Sequence, residues 1–223
     1  MVQGALTEQA DPDKARGMQA YMKTDMPFYG VQKPARTQIL RRLKRECAPD
    51  SHAEYLALSA ALWELPHREE KYLAQGVATA FPEFMIPDSL PLYRRFIVDG
   101  AWWDFVDETA THMICELVLD HPAEIWPVVD RWNEDEDMWL RRTSILCQIG
   151  AKGRTDTERL FRFCEARMHD KEFFIRKAIG WSLREHAKTD PQAIADFVTR
   201  HRGDLSGLSY REATKHIGDL LPS

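Results

Sequence analysis

Ala101-Trp102-Trp103-Asp104-Phe105-Val106-Asp107 opens the stretch that decides the fold, because from here apolar residues recur at 102, 105, 106, 110, 113, 114 and 117. That spacing belongs to a helix, which gathers side chains three and four apart on one face. On such a helix Trp103 and Asp107 stand one turn apart on a common face. Trp102 falls on the apolar stripe and Trp103 does not, so an indole and a carboxylate share a surface that is not the greasy one. By base rate a helical tryptophan is a core residue and a lone aspartate a solvated one. Their pairing is what marks a candidate site.

Working outward, apolar-periodic segments alternate with short breaks at Pro or Gly, and none shows sustained period-two alternation. The expected helices are 18–23, one opening near Pro34 with Ile39, Leu40 and Leu43 inward, then 53–62, 68–80, 91–97, 102–119, 123–133, 138–149, 155–168, 173–187, 191–201 and 209–220. Trp139-Leu140-Arg141-Arg142 aligns on Phe174-Ile175-Arg176-Lys177 at a spacing of 35 residues, and the same step backward from Arg142 lands on Asp107. A period of this length in a helical chain is the mark of helix-pair solenoids such as HEAT repeats. The reading is therefore all-α: a HEAT-like solenoid whose concave wall carries Asp107, Arg142 and Lys177 in a row, with Trp103 and Trp181 four residues before and after. Ordinary solvated helix faces are the bland alternative for every one of these charges.

The chain has 223 residues, 44% hydrophobic and 29% charged, which suits a single domain over 1–223 with 1–15 as a polar leader. No apolar run approaches the roughly 18 residues of a membrane helix. Asp11, Pro12 and Asp13 stand where a signal peptide needs an apolar region, so the expectation is a cytoplasmic protein. Cys47, Cys115, Cys147 and Cys164 form no C-x-x-C pair and read as buried thiols, and His112-x-x-Cys115 has no second half, so no metal is expected. Net charge is −5 with a pI near 5.9, which counts against a generic nucleic-acid binder. The charges are segregated: residues 31–47 carry +5 and residues 101–124 carry −6. Arg142 and Arg184 can pair with the acidic loop Glu134-Asp135-Glu136-Asp137, and those acids equally suit a helix N-terminus.

Several ordered motifs carry a resemblance: Tyr-Met-Lys at 21–23, Pro-Phe-x-Gly at 27–30, Trp-Trp-Asp-x-Val-Asp at 102–107, Trp-Leu-x-Arg at 139–142, and Ala-Ile-Gly-Trp-x-Leu-Arg at 178–184. In order and spacing, over nearly the whole chain, they resemble the AlkD-like DNA alkylation-repair glycosylases. The resemblance implies a HEAT-like solenoid holding duplex DNA and hydrolysing the N-glycosidic bond of N3- and N7-alkylated purines, 3-methyladenine and 7-methylguanine among them, without drawing the base into a pocket. It implies Asp107 as the catalytic carboxylate, Trp103 and Trp181 as sugar-facing indoles, Tyr21 as an N-terminal aromatic contact, and Arg142 and Arg184 as DNA-gripping bases; the repeat adds Lys177. No cofactor is implied, and the expected partner is alkylated duplex DNA bound by a monomer. The sequence departs from the family mainly in its acidic net charge and in Arg141 with the acidic loop.

These residue types suit that chemistry. An alkylated purine is already cationic, so it leaves with little acid assistance. Positive charge then develops on the sugar, where one carboxylate and indole faces stabilise it. Two other classes stay open: a non-catalytic DNA-binding relative, and a HEAT-type protein-interaction scaffold.

Overall fold

The computed structural model describes residues 1–222, and no strand occurs among them. The chain divides into two compact units, residues 1–85 and the remainder from Ile86.

The first unit holds α1 (Val2–Glu8), α2 (Pro12–Met22), α3 (Lys33–Glu46), α4 (His52–Glu64) and α5 (Arg68–Ala80). The expected polar leader is thus helical, and Leu6 is fully buried. Its Asp11-Pro12-Asp13 run, which argues against a signal peptide, is a helix start: the Asp11 carboxylate accepts from the backbone N–H groups of Asp13 and Lys14, and Pro12 takes the first helical position. The Pro-Phe-x-Gly motif is a loop tied down from α5. Buried Glu69 accepts from the backbone N–H groups of Tyr29, Gly30 and Val31 at 3.1, 2.8 and 3.0 Å. Gly30 has φ +88°, and a Cβ there would sit 2.1 Å from the Asp11 carbonyl oxygen, so only glycine fits. Ile39 and Leu43 are buried on α3 as its pattern requires, and Leu40, also expected inward, is half-buried. Two of its bases serve the fold, Arg36 donating to the Val31 carbonyl and Lys44 to that of Ala80. Cys47, at the exposed end of α3, is the one thiol that departs from the buried expectation; Cys115, Cys147 and Cys164 are buried, and burial raises the Cys115 thiol to about 11 and that of Cys164 to about 12.

The second unit holds α6 (Leu90–Val98), α7 (Trp103–Glu108), α8 (Cys115–Asp120), α9 (Pro122–Asn133), α10 (Met138–Leu146), α11 (Thr157–Arg167), α12 (Phe173–His186), α13 (Pro191–Arg200) and α14 (Gly207–Ala213). Expected and observed ends agree to within about one turn except in the last helix, which stops at Ala213, with Gly218 opening a short 3₁₀ turn beyond. The expected helix 102–119 is present as α7 and α8 joined by a wide π turn over Thr109–Ile114. Phe105, Val106, Ala110, Met113, Ile114 and Leu117 of its stripe are buried, whereas Trp102 stands outside the helix as its N-cap residue and is only half-buried.

Helices α7, α10, α12 and α14 pack in succession, each on the next, while α9 packs on α10 and α11. The repeat is visible in individual hydrogen bonds. The Asp135 carboxylate accepts from the N–H of Asp137 and the Asp135 carbonyl from the Arg141 side chain. Thirty-five residues on, Asp170 does the same with Glu172 and Arg176. Local electrostatics of one helix entry is thereby copied into the next, which is how a solenoid keeps its register. Ile145, Ile175, Ile179, Leu183, Ile194 and Phe197 form the shared core beneath.

Candidate functional site

Asp107 lies on the second turn of α7 and Trp103 on the first, so the two occupy one face, as the spacing requires. The chain enters that helix through Ala101 at φ +41°, a left-handed conformation that a residue with a Cβ adopts at a cost of about 1–2 kcal/mol. Arg142 of α10 faces Asp107. Its Nε donates to Asp107 Oδ1 at 2.8 Å and its Nη2 to Oδ2 at 2.9 Å, while Nη1 donates to the Phe174 carbonyl. The arginine is the deeper member: its side chain is 3% exposed against 17% for Asp107. The carboxylate therefore presents an edge to solvent and the guanidinium backs it.

Burial raises the Asp107 carboxyl above its ordinary value, the hydrogen bonds and charge of Arg142 oppose that rise, and Asp104 adds to it. Around the pair is an aromatic cluster of Trp102, Trp139 and Phe174, with ring centroids 4.9 to 6.1 Å apart. The Arg142 guanidinium carbon lies 5.7 Å from the Phe174 ring centre. Trp102 Nε1 is buried without a hydrogen-bond partner.

The arrangement differs from the expected one at Arg142. A fully extended DNA-gripping arginine would present its N–H groups outward, whereas here Nε, Nη1 and Nη2 all point to protein oxygens. The acidic loop does not recruit it either: Arg141 donates to the carbonyls of Asp135 and Glu136, and Asp137 caps α10.

A second charged group lies on α12, where Lys177, Trp181 and Arg184 follow one another at i, i+4 and i+7. Trp181 is half-buried and packs against the core, and Trp103 is also half-buried, so neither indole is sealed. Lys177 Nζ donates to Glu212 Oε1 at 2.6 Å and Arg184 to Glu212 Oε2. Glu212 was not among the expected site residues, yet it stands 35 residues after Lys177 and was reachable by one more step of the repeat. Phe174, likewise missed, is the repeat mate of Trp139 and packs on it. Tyr21, in the first unit, lies in the last turn of α2 and is 73% exposed. Among the described residues no three His, Cys, Asp or Glu side chains gather as a metal-ligand set, and no helix is long and apolar enough to cross a membrane.

Successive helix pairs in fixed register, with acids, indoles and bases on the same row of helices, define the chain as an all-α helical-repeat protein. It belongs to the DNA alkylation repair enzyme family, whose model matches residues 2–217. It is similar to a solved structure described as a predicted DNA alkylation repair enzyme from Enterococcus faecalis, at 28% identity and a TM-score of 0.84, covering 93% of this chain and 96% of that one. The crystal structure of AlkD2 from Streptococcus mutans matches at 14% identity and a TM-score of 0.66, covering 91% and 99%, and that of smu.31 from Streptococcus mutans UA159 at 14% and 0.64, covering 81% and 92%. The last two likenesses are of fold alone. No curated protein matches.

Proposed function

We propose that the protein is a DNA glycosylase of base excision repair, a cytoplasmic monomer that hydrolyses the N-glycosidic bond of cationic N3- and N7-alkylpurines in duplex DNA without flipping the base. Membership of an alkylation-repair family supports the substrate class. The observation that carries the mechanism is the Asp107 carboxylate, held by Arg142, more exposed than it and one turn from Trp103.

As the C1′–N bond stretches, its electron pair passes to the purine and neutralises the base, while the sugar becomes an oxocarbenium-like cation. Water adds to C1′ and gives up a proton. Asp107 faces the cation and orients or deprotonates that water. Arg142 tempers the field of the carboxylate, and the carboxylate is the more exposed of the two. Held by two donors, its oxygens are already oriented and need no reorganisation as charge develops. The faces of Trp103 and Trp181 add cation–π attraction of roughly 0.5–2 kcal/mol each, which grows with the charge and so lowers the barrier. Lys177 and Arg184 hold phosphates and set register, and Tyr21 supplies an aromatic contact.

The experiment is release of 7-methylguanine and 3-methyladenine from alkylated duplex by wild type and Asp107→Asn. Release by wild type and loss of about two orders of magnitude or more in the variant is the expected result. An inactive wild type, or a fully active variant, overturns the proposal. A second reading, a duplex-binding relative without catalysis, is favoured by one observation: Arg142, Lys177 and Arg184 are each already paired with a carboxylate. Binding without base release selects it.

A further inference from the structure

Glu212 of α14 takes no part in the base-release chemistry, yet it sits on the basic face of α12. Its two oxygens are divided between two cations, Oε1 on Lys177 and Oε2 on Arg184. Those cations are seven residues apart, two turns along one helix face, and a single bridging anion draws them together. One negative charge spread over two oxygens is also what a phosphodiester offers, and an arginine takes either in the same geometry. We propose that Glu212 is an internal stand-in for a DNA phosphate: it fills the anion site made by Lys177 and Arg184, and a backbone phosphate of the duplex displaces it. This rests on the reading of the chain as a duplex-binding glycosylase, and it adds an affinity-setting residue to that site.

Three features separate this from a plain structural staple. The packing of α12 on α14 is already supplied by an apolar cluster that includes Ile175, Ile179, Leu183, Ala213 and Ile217. The ion pairs are partly exposed, Lys177 38%, Glu212 20% and Arg184 19%, and Lys177 offers a displacing anion access; partly exposed pairs of this kind are weak enough to be exchanged. Finally, the backbone places the base of the Glu212 side chain against α12 while its carboxylate stays free to swing. Gly180 lacks the Cβ that would stand 2.5 Å from that of Glu212, and Ser209 Oγ donates to the Arg176 carbonyl at 2.9 Å, so α14 is pressed against the basic face. The Lys177 hydrogen bond holds the Glu212 carboxyl below its ordinary value, with burial opposing it and the Arg184 hydrogen bond adding to it.

The salt dependence of binding discriminates. When a phosphate takes the two cations, DNA releases counterions, but the freed Glu212 carboxylate attracts one back, so wild type shows a shallower slope than its phosphate contacts alone would give. Fluorescence-anisotropy titration of a short unmodified duplex over a salt series, with wild type, Glu212→Gln and Glu212→Met, reads this directly, with thermal melting to establish that each variant is folded. The expected result is binding about tenfold tighter at low salt in both variants, from removal of the competing carboxylate. The slope of log affinity against log salt should steepen by about 1. Unchanged or weaker binding overturns the inference and makes Glu212 an organiser of the two cations. The same proteins are assayed for 7-methylguanine release. If wild type releases base while the variants bind no tighter, only the stand-in role fails. If none binds or releases, the glycosylase reading fails with it, and if wild type does not bind but Glu212→Gln does, the inference stands.

Discussion

Arg142 lies behind Asp107 rather than beside it: both carboxylate oxygens take an N–H from one guanidinium, and the base is the more deeply buried partner. A buried pair of this kind contributes little net stability, because desolvation of both charges offsets their attraction, but removal of one member strands the other. What it does provide is a fixed carboxylate. The rest of the site follows from that order, acid outward and base inward.

Double-mutant coupling between the two should therefore be large. Asp107→Asn leaves an almost fully buried guanidinium without its counter-charge and is expected to cost about 3–5 kcal/mol, the range found when one partner of a buried pair is removed. Arg142→Met costs less, since the carboxylate it abandons is the less buried member and can take up a proton. Asp107→Asn with Arg142→Met should recover much of the loss. Urea unfolding of the four proteins measures the cycle, and simple additivity of the single costs would contradict the geometry.

The rate of base release should fall in acid at a pH above 3.8, the ordinary value for an aspartate. Burial raises the Asp107 carboxyl, Arg142 lowers it by hydrogen bond and charge, Asp104 raises it, and the balance is upward. The ionised form is the active one, so activity disappears as pH falls through that raised value. Arg142→Met deletes the opposing contributions and moves the acid limb to still higher pH. The sign for stability is the reverse. The protonated acid is favoured in the folded chain, so this group's contribution is full below 3.8 and is lost as pH rises through the folded value. Rate–pH profiles of the two proteins, corrected for spontaneous depurination, test the shift.

Much of this was legible in the sequence because helices impose their period on it. The stripe 105, 106, 110, 113, 114 and 117 was readable at once, and the 35-residue step from Asp107 to Arg142 gave the register of two helices that touch. Spacing does not, however, say which way a side chain turns. Arg142 points inward because Asp107 and the Phe174 carbonyl converge on it across two helix interfaces. Glu212 went unnoticed for a different reason: an acid breaks the expected row of bases, and only its contact with Lys177 and Arg184 shows that the row continues. The π turn after α7 adds its extra residue within a run that keeps its apolar pattern, so the sequence carried no sign of it.

Replacement of Gly30 by alanine should destabilise the first unit on the order of 3 kcal/mol, combining an unfavourable φ with a Cβ driven onto the Asp11 carbonyl. Glu69→Gln should cost about 1–3 kcal/mol, because the amide keeps one oxygen to accept from Gly30 and Val31 while its nitrogen cannot accept from the Tyr29 N–H. At about 2–4 °C per kcal/mol for a chain of this size, thermal melting resolves both. A Gly30→Ala protein that melts with the wild type would show that the loop is not held as described.

Gly180→Ala tests the close approach of α12 and α14 on which the basic face depends. The new methyl would stand 2.5 Å from Glu212 Cβ and 2.8 Å from the Ser209 carbonyl oxygen, and a backbone carbonyl yields only if α14 moves outward. Overpacking of this kind costs about 1–3 kcal/mol. The loss should be local: α14 loses the bond from Ser209 to the Arg176 carbonyl and the bridge from Glu212 to Lys177 and Arg184, while the Asp107–Arg142 pair is untouched. Amide hydrogen exchange reads the difference, with faster exchange expected across Gly207–Ala213 and unchanged protection over Met138–Leu146. Equal acceleration in both segments would mean that the glycine supports the whole second unit, and that the contact between these two helices is not what it serves.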